Sequence, residues 1–268
     1  MTSRIHLFFT GILVHLQFFT SIPIRRELSL GKRQLKYVLQ TFPILGLLQG
    51  GIYAGFLYTL QNFTPFSDLM ITLFLWLLLI ILSGGIHLDG WIDTSDAYFS
   101  YKDPEKRLEI LKDPRVGAFG LLSVLVFLFV RFTVLYELIR IADSNLFWMI
   151  ILIPFLGKAI MGIFLQTMPL ARKEGMASFF QQGKSKSCWL IYSIYILLMG
   201  GTLLLFQSKL IVTYMILVVV MIISGILIAK SIKKNFTGIT GDTLGASSEG
   251  MELLLWLTLW LLHSYAMV

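Results

Sequence analysis

The sequence predicts an all-α, polytopic integral membrane protein folded as a helical bundle. Apolar residues make up 56% of the 268 residues and charged residues only 14%, which is about half the charged share of a soluble globular protein. Long apolar runs such as 69–86 match the roughly 20 residues that cross a bilayer as a helix. These observations exclude a disordered chain and a coiled coil and argue against a soluble enzyme. We expect a single membrane-embedded domain over residues 1–268.

The apolar runs also predict the number of spans. Seven spans are expected, at 38–60, 69–86, 117–139, 147–166, 188–206, 210–229 and 252–267. The N-terminal segment 5–24 is apolar but contains His6, His15 and Gln17. It is therefore predicted either as an eighth span or as an amphipathic helix at the membrane interface. The single cysteine, Cys188, excludes an internal disulfide and is expected to be a packing residue.

Lysine and arginine residues predict the orientation in the membrane. Most of the 22 basic residues fall in four loops: 25–36, 87–116, 167–187 and 230–251. The loops on the other side hold only Arg140 and Lys209. Because basic loops stay in the cytoplasm, these four loops are predicted to be cytoplasmic. The net charge of +7 then reflects topology and contact with anionic membrane lipid, and we expect no nucleic-acid partner.

Most of the 15 acidic residues lie in the same four loops or at the adjoining helix ends. The positive-inside rule does not require this, since aspartate and glutamate contribute little to topology. Acidic and basic groups concentrated on one membrane face indicate a polar site at the cytoplasmic surface.

The strongest motif is GGIHLDGWIDTSDA, residues 84–97. Asp89, Asp93 and Asp96 are spaced by four and three residues, so in a helix they share one face within about 60°. Three like charges on one face repel one another, and no lysine or arginine stands among them. Carboxylate oxygens suit Mg²⁺ or Mn²⁺, which would relieve the repulsion. The alternative is a solvated acidic helix end.

A second motif, DPEKRLEILKDPRVGAFG, covers residues 103–120. Asp103 followed by Pro104 predicts a helix start. The acidic residues Glu105, Glu109 and Asp113 recur every four residues, with cations interleaved. Those cations are Lys106, Arg107, Lys112 and Arg115. Carboxylates that bind a metal and cations that bind phosphate oxygens are what a metal-bound phosphate ester requires. The alternative is a surface helix with ordinary ion pairs between successive turns.

The third motif is TGITGDTLGASSEGMELL, residues 237–254. Its glycines predict a turn, after which Asp242, Glu249 and Glu252 lead into the last span. A turn rich in glycine and threonine before a helix can present backbone N–H groups to phosphate. The alternative is a flexible loop.

Three further ionisable residues lie in or beside predicted spans. Arg131 and Lys158 are inside spans, where charged side chains usually face the bundle interior. Arg131 could instead reach the interface or pair with Glu137. His87 stands next to Asp89 and could orient a carboxylate or transfer a proton; the alternative is a packing histidine.

These motifs together resemble the cobalamin synthase family, the adenosylcobinamide-GDP ribazoletransferases. The resemblance extends to LQFFTSIPI (16–24), FPILGLLQG (42–50) and ARKEG (171–175), and so covers most of the chain. The HLDGWIDTSD stretch is the specific part. The resemblance implies transfer of the phosphocobinamide group of adenosylcobinamide-GDP to the ribose 3′-hydroxyl of α-ribazole or α-ribazole 5′-phosphate. The products are GMP and adenosylcobalamin or its 5′-phosphate.

The resemblance also implies a cofactor, a location and partners. The cofactor is Mg²⁺, and the location is the bacterial cytoplasmic (inner) membrane, with the active site facing the cytoplasm. The expected partners are the corrinoid nucleotide, α-ribazole and membrane lipid. A homo-oligomer and association with other cobalamin-assembly enzymes are both left open.

Each site residue then has an expected role. The expected metal ligands are Asp89, Asp93, Asp96, Asp113 and Asp242. The expected catalytic residues are Asp89, Asp93, Glu109 and His87, with Asp93 or Glu109 accepting the ribose proton. The expected substrate-binding residues are Arg107, Lys112, Arg115, Lys158, Arg172, Thr20 and Glu249.

Two other functions are considered. A CDP-alcohol lipid phosphotransferase shares the Asp-Gly start of its DGxxAR signature with residues 89–90, but the Ala-Arg pair is absent here. An ion-coupled transporter also uses intramembrane carboxylates. Its sites usually lie near the bilayer midplane, whereas these acidic residues cluster at one face.

Overall fold

The protein is helical throughout the part of the chain that the structure describes. This structure is a computed structural model, and it describes residues 4–28, 30–100, 103–141 and 145–265. No β-strand occurs in these ranges, and a single isolated parallel bridge joins Leu170 to Ile239. The predicted all-α class is confirmed.

Eleven α-helices occur in these ranges. They are α1 (Arg4–Phe19), α2 (Lys32–Phe63), α3 (Asp68–Ser83), α4 (Ile86–Ser100), α5 (Pro104–Ile110), α6 (Ala118–Ile141), α7 (Leu146–Thr167), α8 (Met176–Gln181), α9 (Ser187–Phe206), α10 (Ile211–Phe236) and α11 (Gly241–Tyr265). A 3₁₀ turn, Ser208–Leu210, precedes α10.

Five stretches of the described chain are long and apolar enough to cross a membrane: α2, α6, α7, α9 and the 3₁₀ turn with α10. The α3–α4 pair makes a sixth if the two helices count as one span despite an 85° bend. The predicted count of seven is therefore not confirmed. The difference comes from α3, which has only 16 residues before the bend, and from α11, because Asp242, Glu249 and Glu252 occupy its first half and leave a short apolar remainder. Helix α1 has 16 residues, or about 24 Å, which is less than the roughly 30 Å hydrocarbon core.

The centre of the bundle is the crossing of α2 and α7. At Gly50 an added Cβ would lie 2.6 Å from the Cα of Ile151, and at Gly46 it would meet the backbone of Pro154. Small residues allow membrane helices to approach this closely. Helix α7 is buried almost all round, as expected of a central helix.

Two glycines turn the chain between α3 and α4. Gly84 and Gly85 have φ of 64° and 72°, which is the left-handed region that only glycine enters readily. The end of α1 supports the bend, since the N–H of Ser21 donates to the carbonyl of Leu82 at 2.8 Å. The 85° bend directs α4 away from the α3 axis, so α4 lies outside the five spans.

The loop after α7 is tied to the turn before α11. The N–H of Ala171 donates to the carbonyl of Ile239 at 3.0 Å, and the N–H of Ile239 donates to the carbonyl of Pro169 at 2.9 Å. At the start of α11, the N–H of Thr243 donates to the hydroxyl of Thr240 at 3.2 Å. These contacts place Arg172 beside the first turn of α11.

Candidate active site

The site is built where α4 crosses the first turn of α11. An added Cβ at Gly90 would lie 2.7 Å from the carbonyl oxygen of Asp242 and 3.0 Å from its Cα. The two backbones are therefore in contact at Gly90. Because Asp89 and Asp93 flank this point on α4, the close approach brings both carboxylates into the electrostatic field of Asp242.

These carboxylates influence one another electrostatically. Burial, followed by the charges of Asp89, Asp242 and Asp96, raises the pKa of Asp93 to about 6. Burial also raises the pKa of Asp242, an effect that the hydroxyl of Thr240 and the charge of Arg172 oppose. We call Asp89, Asp93 and Asp242 the carboxylate cluster.

Asp96 lies at the edge of this cluster and turns toward α6. Its Oδ1 accepts a hydrogen bond from the N–H of Gly120 at 3.4 Å, and the carboxylate packs against Gly117. A negative charge is stabilised at a helix N-terminus. Asp96 therefore joins α4 to the start of α6 as well as adding charge near Asp93.

The donor chemistry of the cluster fits a divalent cation. In the described ranges no three histidine, cysteine or acidic residues converge as a complete ligand set. Mg²⁺ is usually bound by one or two carboxylates together with waters and substrate phosphates, so it does not require such a set. The like charges around Asp93 are what a cation would neutralise. Asp89 and Asp242 are the residues that would hold it, with Asp93 beside them.

Arg172 is the cation beside the cluster. Its Nη2 donates to the carbonyl of Leu108 in α5, and its charge opposes the rise that burial causes in the pKa of Asp242. Its Nε is buried and has no hydrogen-bond partner in the described part of the chain. Arg172 thus lies between α5 and α11, where it can contact a phosphate held at the cluster.

The other charges of the second motif lie apart from the cluster. Arg115 pairs with Asp113 at 2.6 Å, and this hydrogen bond lowers the pKa of Asp113 to about 2. Glu109 and Asp113 line an open cleft of about 330 Å³, and Lys112 is exposed. Neither Glu109 nor Asp113 is among the charges that raise the pKa of Asp93. The predicted start of α5 is confirmed, because Asp103 Oδ1 accepts the N–H of Glu105 at 3.0 Å.

Arg107 is buried and joins three helices. Its Nη1 donates to Oδ1 of Asn235 at 2.6 Å, and its Nη2 donates to the carbonyl of Tyr98 at 3.2 Å. The guanidinium carbon also lies 4.8 Å from the centre of the Tyr98 ring. These contacts fasten α5 to the ends of α4 and α10.

We expect Arg107→Ala to destabilise the fold by about 2–3 kcal/mol, because it removes several hydrogen bonds from a charged donor. Arg107→Lys should recover only part of the loss, since lysine lacks the planar fork. Thermal unfolding in detergent measures both. Arg115→Ala is the control, because it breaks an exposed pair worth little. Unchanged stability with a raised KM would instead make Arg107 a direct substrate ligand.

Lys158 and Glu249 belong to a buried ion network. Lys158 Nζ donates to Glu252 at 2.8 Å and to the hydroxyl of Ser248 at 2.9 Å. Arg131 contacts Glu249 at 2.6 Å and Glu252 at 3.3 Å. All four side chains are almost fully buried: the exposed fraction is 3% for Arg131, 2% for Lys158, 3% for Glu249 and 5% for Glu252. Their two positive and two negative charges balance. The network joins α6, α7 and α11 inside the bundle. The alternative pairing of Arg131 with Glu137 is not found, because Glu137 contacts Arg140.

His87 and Thr20 occupy the junction of α1 with α4. His87 is 1% exposed and stacks on Phe19 at a ring separation of 6.0 Å. Burial and the charge of Lys158 lower the pKa of His87 well below its usual value. Its Nε2 has no hydrogen-bond partner among the described residues. Thr20 accepts the N–H of Ile22 at 3.2 Å and so ends α1 beside the α3–α4 bend.

Sequence reasoning missed several residues around the site. Glu252 and Ser248 complete the ion network, and Asn235 and Tyr98 accept hydrogen bonds from Arg107. The signal for the network was present, since Arg131, Lys158 and Glu252 are charges in apolar helices that need partners. No local pattern connects Arg107 with Asn235, which is 128 residues away.

The fold and the site together define a class of protein. It is a polytopic helical membrane protein with a carboxylate cluster and a neighbouring arginine. The profile of the Cobalamin-5-phosphate synthase family matches residues 11–260. The chain belongs to this family.

Curated relatives cover nearly the full length. The chain is 37% identical to "Adenosylcobinamide-GDP ribazoletransferase" of Geobacillus sp. (strain WCH70), over 97% of this chain and 98% of the relative. It is 37% identical to the protein of the same name from Geobacillus thermodenitrificans (strain NG80-2), over 96% and 97%. Identity to that of Halalkalibacterium halodurans is 32%, over 93% and 95%. No solved structure matches the chain.

Proposed function

We propose that this chain is an adenosylcobinamide-GDP ribazoletransferase that performs a metal-dependent phosphotransfer at the carboxylate cluster. The products would be adenosylcobalamin, or its 5′-phosphate, and GMP. The observation that carries the mechanism is the contact of α4 with α11 at Gly90, which gathers the carboxylates around Asp93. Family membership and the names of the relatives support the reaction.

The bonds that form and break indicate the role that each of a few residues would have. The ribose 3′-oxygen bonds to the phosphorus that carries cobinamide, and the bond from that phosphorus to the oxygen of GMP breaks. Mg²⁺, when bound, would neutralise charge on the diphosphate. Asp89 and Asp242 would hold the cation, and Arg172 would contact the remaining phosphate oxygens. Asp93 is the favoured acceptor of the ribose proton, since its raised pKa of about 6 lies nearer neutrality than that of an ordinary aspartate.

The peripheral residues have supporting roles in this proposal. Lys112 and Arg115 are exposed and lie apart from the cluster, and they would steer the anionic donor toward it over a longer range. Lys158 and Glu249 would act indirectly by fixing α11 against α7 and α6, and His87 would position the start of α4. Asp96 would add negative charge beside Asp93, whereas Asp113, paired with Arg115, would act only from outside the cluster. Glu109 is the second choice for the proton acceptor.

Donor specificity tests the reaction. Purified protein in detergent, supplied with α-ribazole and Mg²⁺, should release GMP from adenosylcobinamide-GDP and form the cobalamin product in equal amounts. A CDP-alcohol donor such as CDP-diacylglycerol should release no CMP. The proposal fails if only the CDP donor reacts. It also fails if folded protein turns over neither donor and instead moves ions into proteoliposomes.

We also propose that the site faces the cytoplasm of a bacterial inner membrane. The four basic loops support this orientation, and the cluster lies among them. In a Cys188→Ser background, Glu174→Cys in the loop after α7 should be labelled by an impermeant maleimide only after the membrane is opened. Labelling in intact cells would show that the site faces the outside and would contradict the proposed orientation. Association with another copy or with other cobalamin-assembly enzymes stays a prediction.

A further inference from the structure

A cavity of about 630 Å³ lies between α1, α2 and α9. Its lining combines two cations, Arg4 and Lys36, with the aromatic rings of Phe8, Phe9 and Tyr37. No residue that lines it in the described ranges carries a carboxylate. It shares no residue with α4 or α11, so it is separate from the carboxylate cluster. The size falls within the range of small-molecule sites in proteins.

The two cations have no acidic partner in the part of the chain that the structure describes. The ion pairs found there include neither Arg4 nor Lys36. Two like charges on the wall of one cavity repel each other, and an anion between them would remove that repulsion. The cavity is thus electrostatically suited to a phosphate group.

The position of the cavity in the bundle favours a lipid over a soluble anion. Helix α9 begins at Ser187 beside the third turn of α2, where Gln40 Nε2 donates to the hydroxyl of Ser187 at 3.0 Å. Helix α9 therefore presents its positive end at this level. The loops that precede α2 and α9 are two of the basic loops, so in the proposed orientation the cavity lies at the headgroup level of the cytoplasmic leaflet, whose lipids are anionic.

Exposed apolar side chains flank the cavity. Ile5 and Phe9 of α1 are 70% and 58% exposed, and Trp189 and Leu190 of α9 are 53% and 65% exposed. Tryptophan and other aromatic side chains are typical of the membrane interface. These side chains offer a surface for acyl chains directly beside the two cations.

We propose that this cavity is a binding site for one anionic phospholipid. Its phosphate lies between Arg4 and Lys36, and its acyl chains lie along Ile5 and Phe9. The lipid fastens α1 to the starts of α2 and α9. This inference depends on the membrane fold and the proposed orientation, and not on the proposed reaction.

Native mass spectrometry of the intact protein tests the site. The probes are phosphatidylglycerol and phosphatidylcholine with identical acyl chains, titrated into protein in a neutral detergent. We expect wild-type protein to bind one phosphatidylglycerol in preference to phosphatidylcholine. The double variant Arg4→Gln/Lys36→Gln should bind that lipid about 25-fold more weakly, at about 5-fold for each cation.

The matched control is Lys233→Gln/Lys234→Gln, which removes two exposed lysines from the end of α10 and should leave binding unchanged. Phe9→Ser should weaken binding while both cations remain. Arg4→Gln alone, at an exposed position, carries the test if the double variant does not fold. Binding by Arg4→Gln/Lys36→Gln that equals wild-type binding overturns the proposal. Equal binding of soluble glycerol phosphate also overturns it, because the site would then be one for free anions.

Discussion

Asp93→Asn is expected to lower turnover on the order of 10³-fold, the effect of losing a general base, while the protein remains inserted and folded. Asp93 is the residue on which the charges of Asp89, Asp242 and Asp96 converge. The amide has nearly the same shape as the carboxylate but can neither accept the ribose proton nor neutralise a cation. Removing one of several like charges also relieves repulsion, so stability should not fall. GMP release measures the first effect, and thermal unfolding measures the second.

The matched control is Asp68→Asn. Asp68 lies in the first turn of α3, and its side chain is exposed. Substitutions at such surface positions have small effects, so the turnover of Asp68→Asn should stay within about twofold of wild type. Asp89→Ala should lose activity as Asp93→Asn does. Near wild-type turnover by either cluster variant would contradict the assignment of the cluster to catalysis.

Glu252→Leu is expected to cost about 3–5 kcal/mol of stability, the usual effect of removing one partner from a buried ion network. Glu252 contacts both Lys158 and Arg131, so its loss leaves two buried cations facing a single carboxylate. Because the network joins α6, α7 and α11, the loss should weaken the docking of the helix that carries Asp242. Thermal unfolding in detergent measures the change.

Glu137→Gln is the control for this second prediction. It breaks the exposed pair with Arg140, which should cost about 0–1 kcal/mol. The double variant Lys158→Met/Glu252→Leu should regain much of the lost stability, because it leaves the balanced Arg131–Glu249 pair. Equal losses for Glu252→Leu and Glu137→Gln would mean that the network does not hold the bundle together.

The sequence predicts the local features of the site well. The spacing of Asp89, Asp93 and Asp96 places them on one face of a helix, and the structure has that helix. Asp103 caps α5, and Lys158 faces the bundle interior, as its position in an apolar span requires. Each of these predictions depends only on helix geometry or on the cost of charge in a membrane.

Features that depend on distant contacts could not be predicted. The angle between α3 and α4 depends on the positive φ of Gly84 and Gly85, and glycine alone does not dictate that conformation. Arg107 was expected to bind phosphate because it belongs to a basic motif, but Asn235 and Tyr98 receive its hydrogen bonds. The role of Asp242 depends on the contact with Gly90, which only the packing of α11 on α4 creates.

The central claim is that the carboxylate cluster performs phosphotransfer with a divalent cation. The most direct measurement is GMP release by the purified, reconstituted protein with adenosylcobinamide-GDP and α-ribazole, in EDTA and then with Mg²⁺ added back. We expect no GMP in EDTA, full recovery with Mg²⁺, and no recovery at any Mg²⁺ concentration for Asp93→Asn. Undiminished GMP release in EDTA would contradict the central claim.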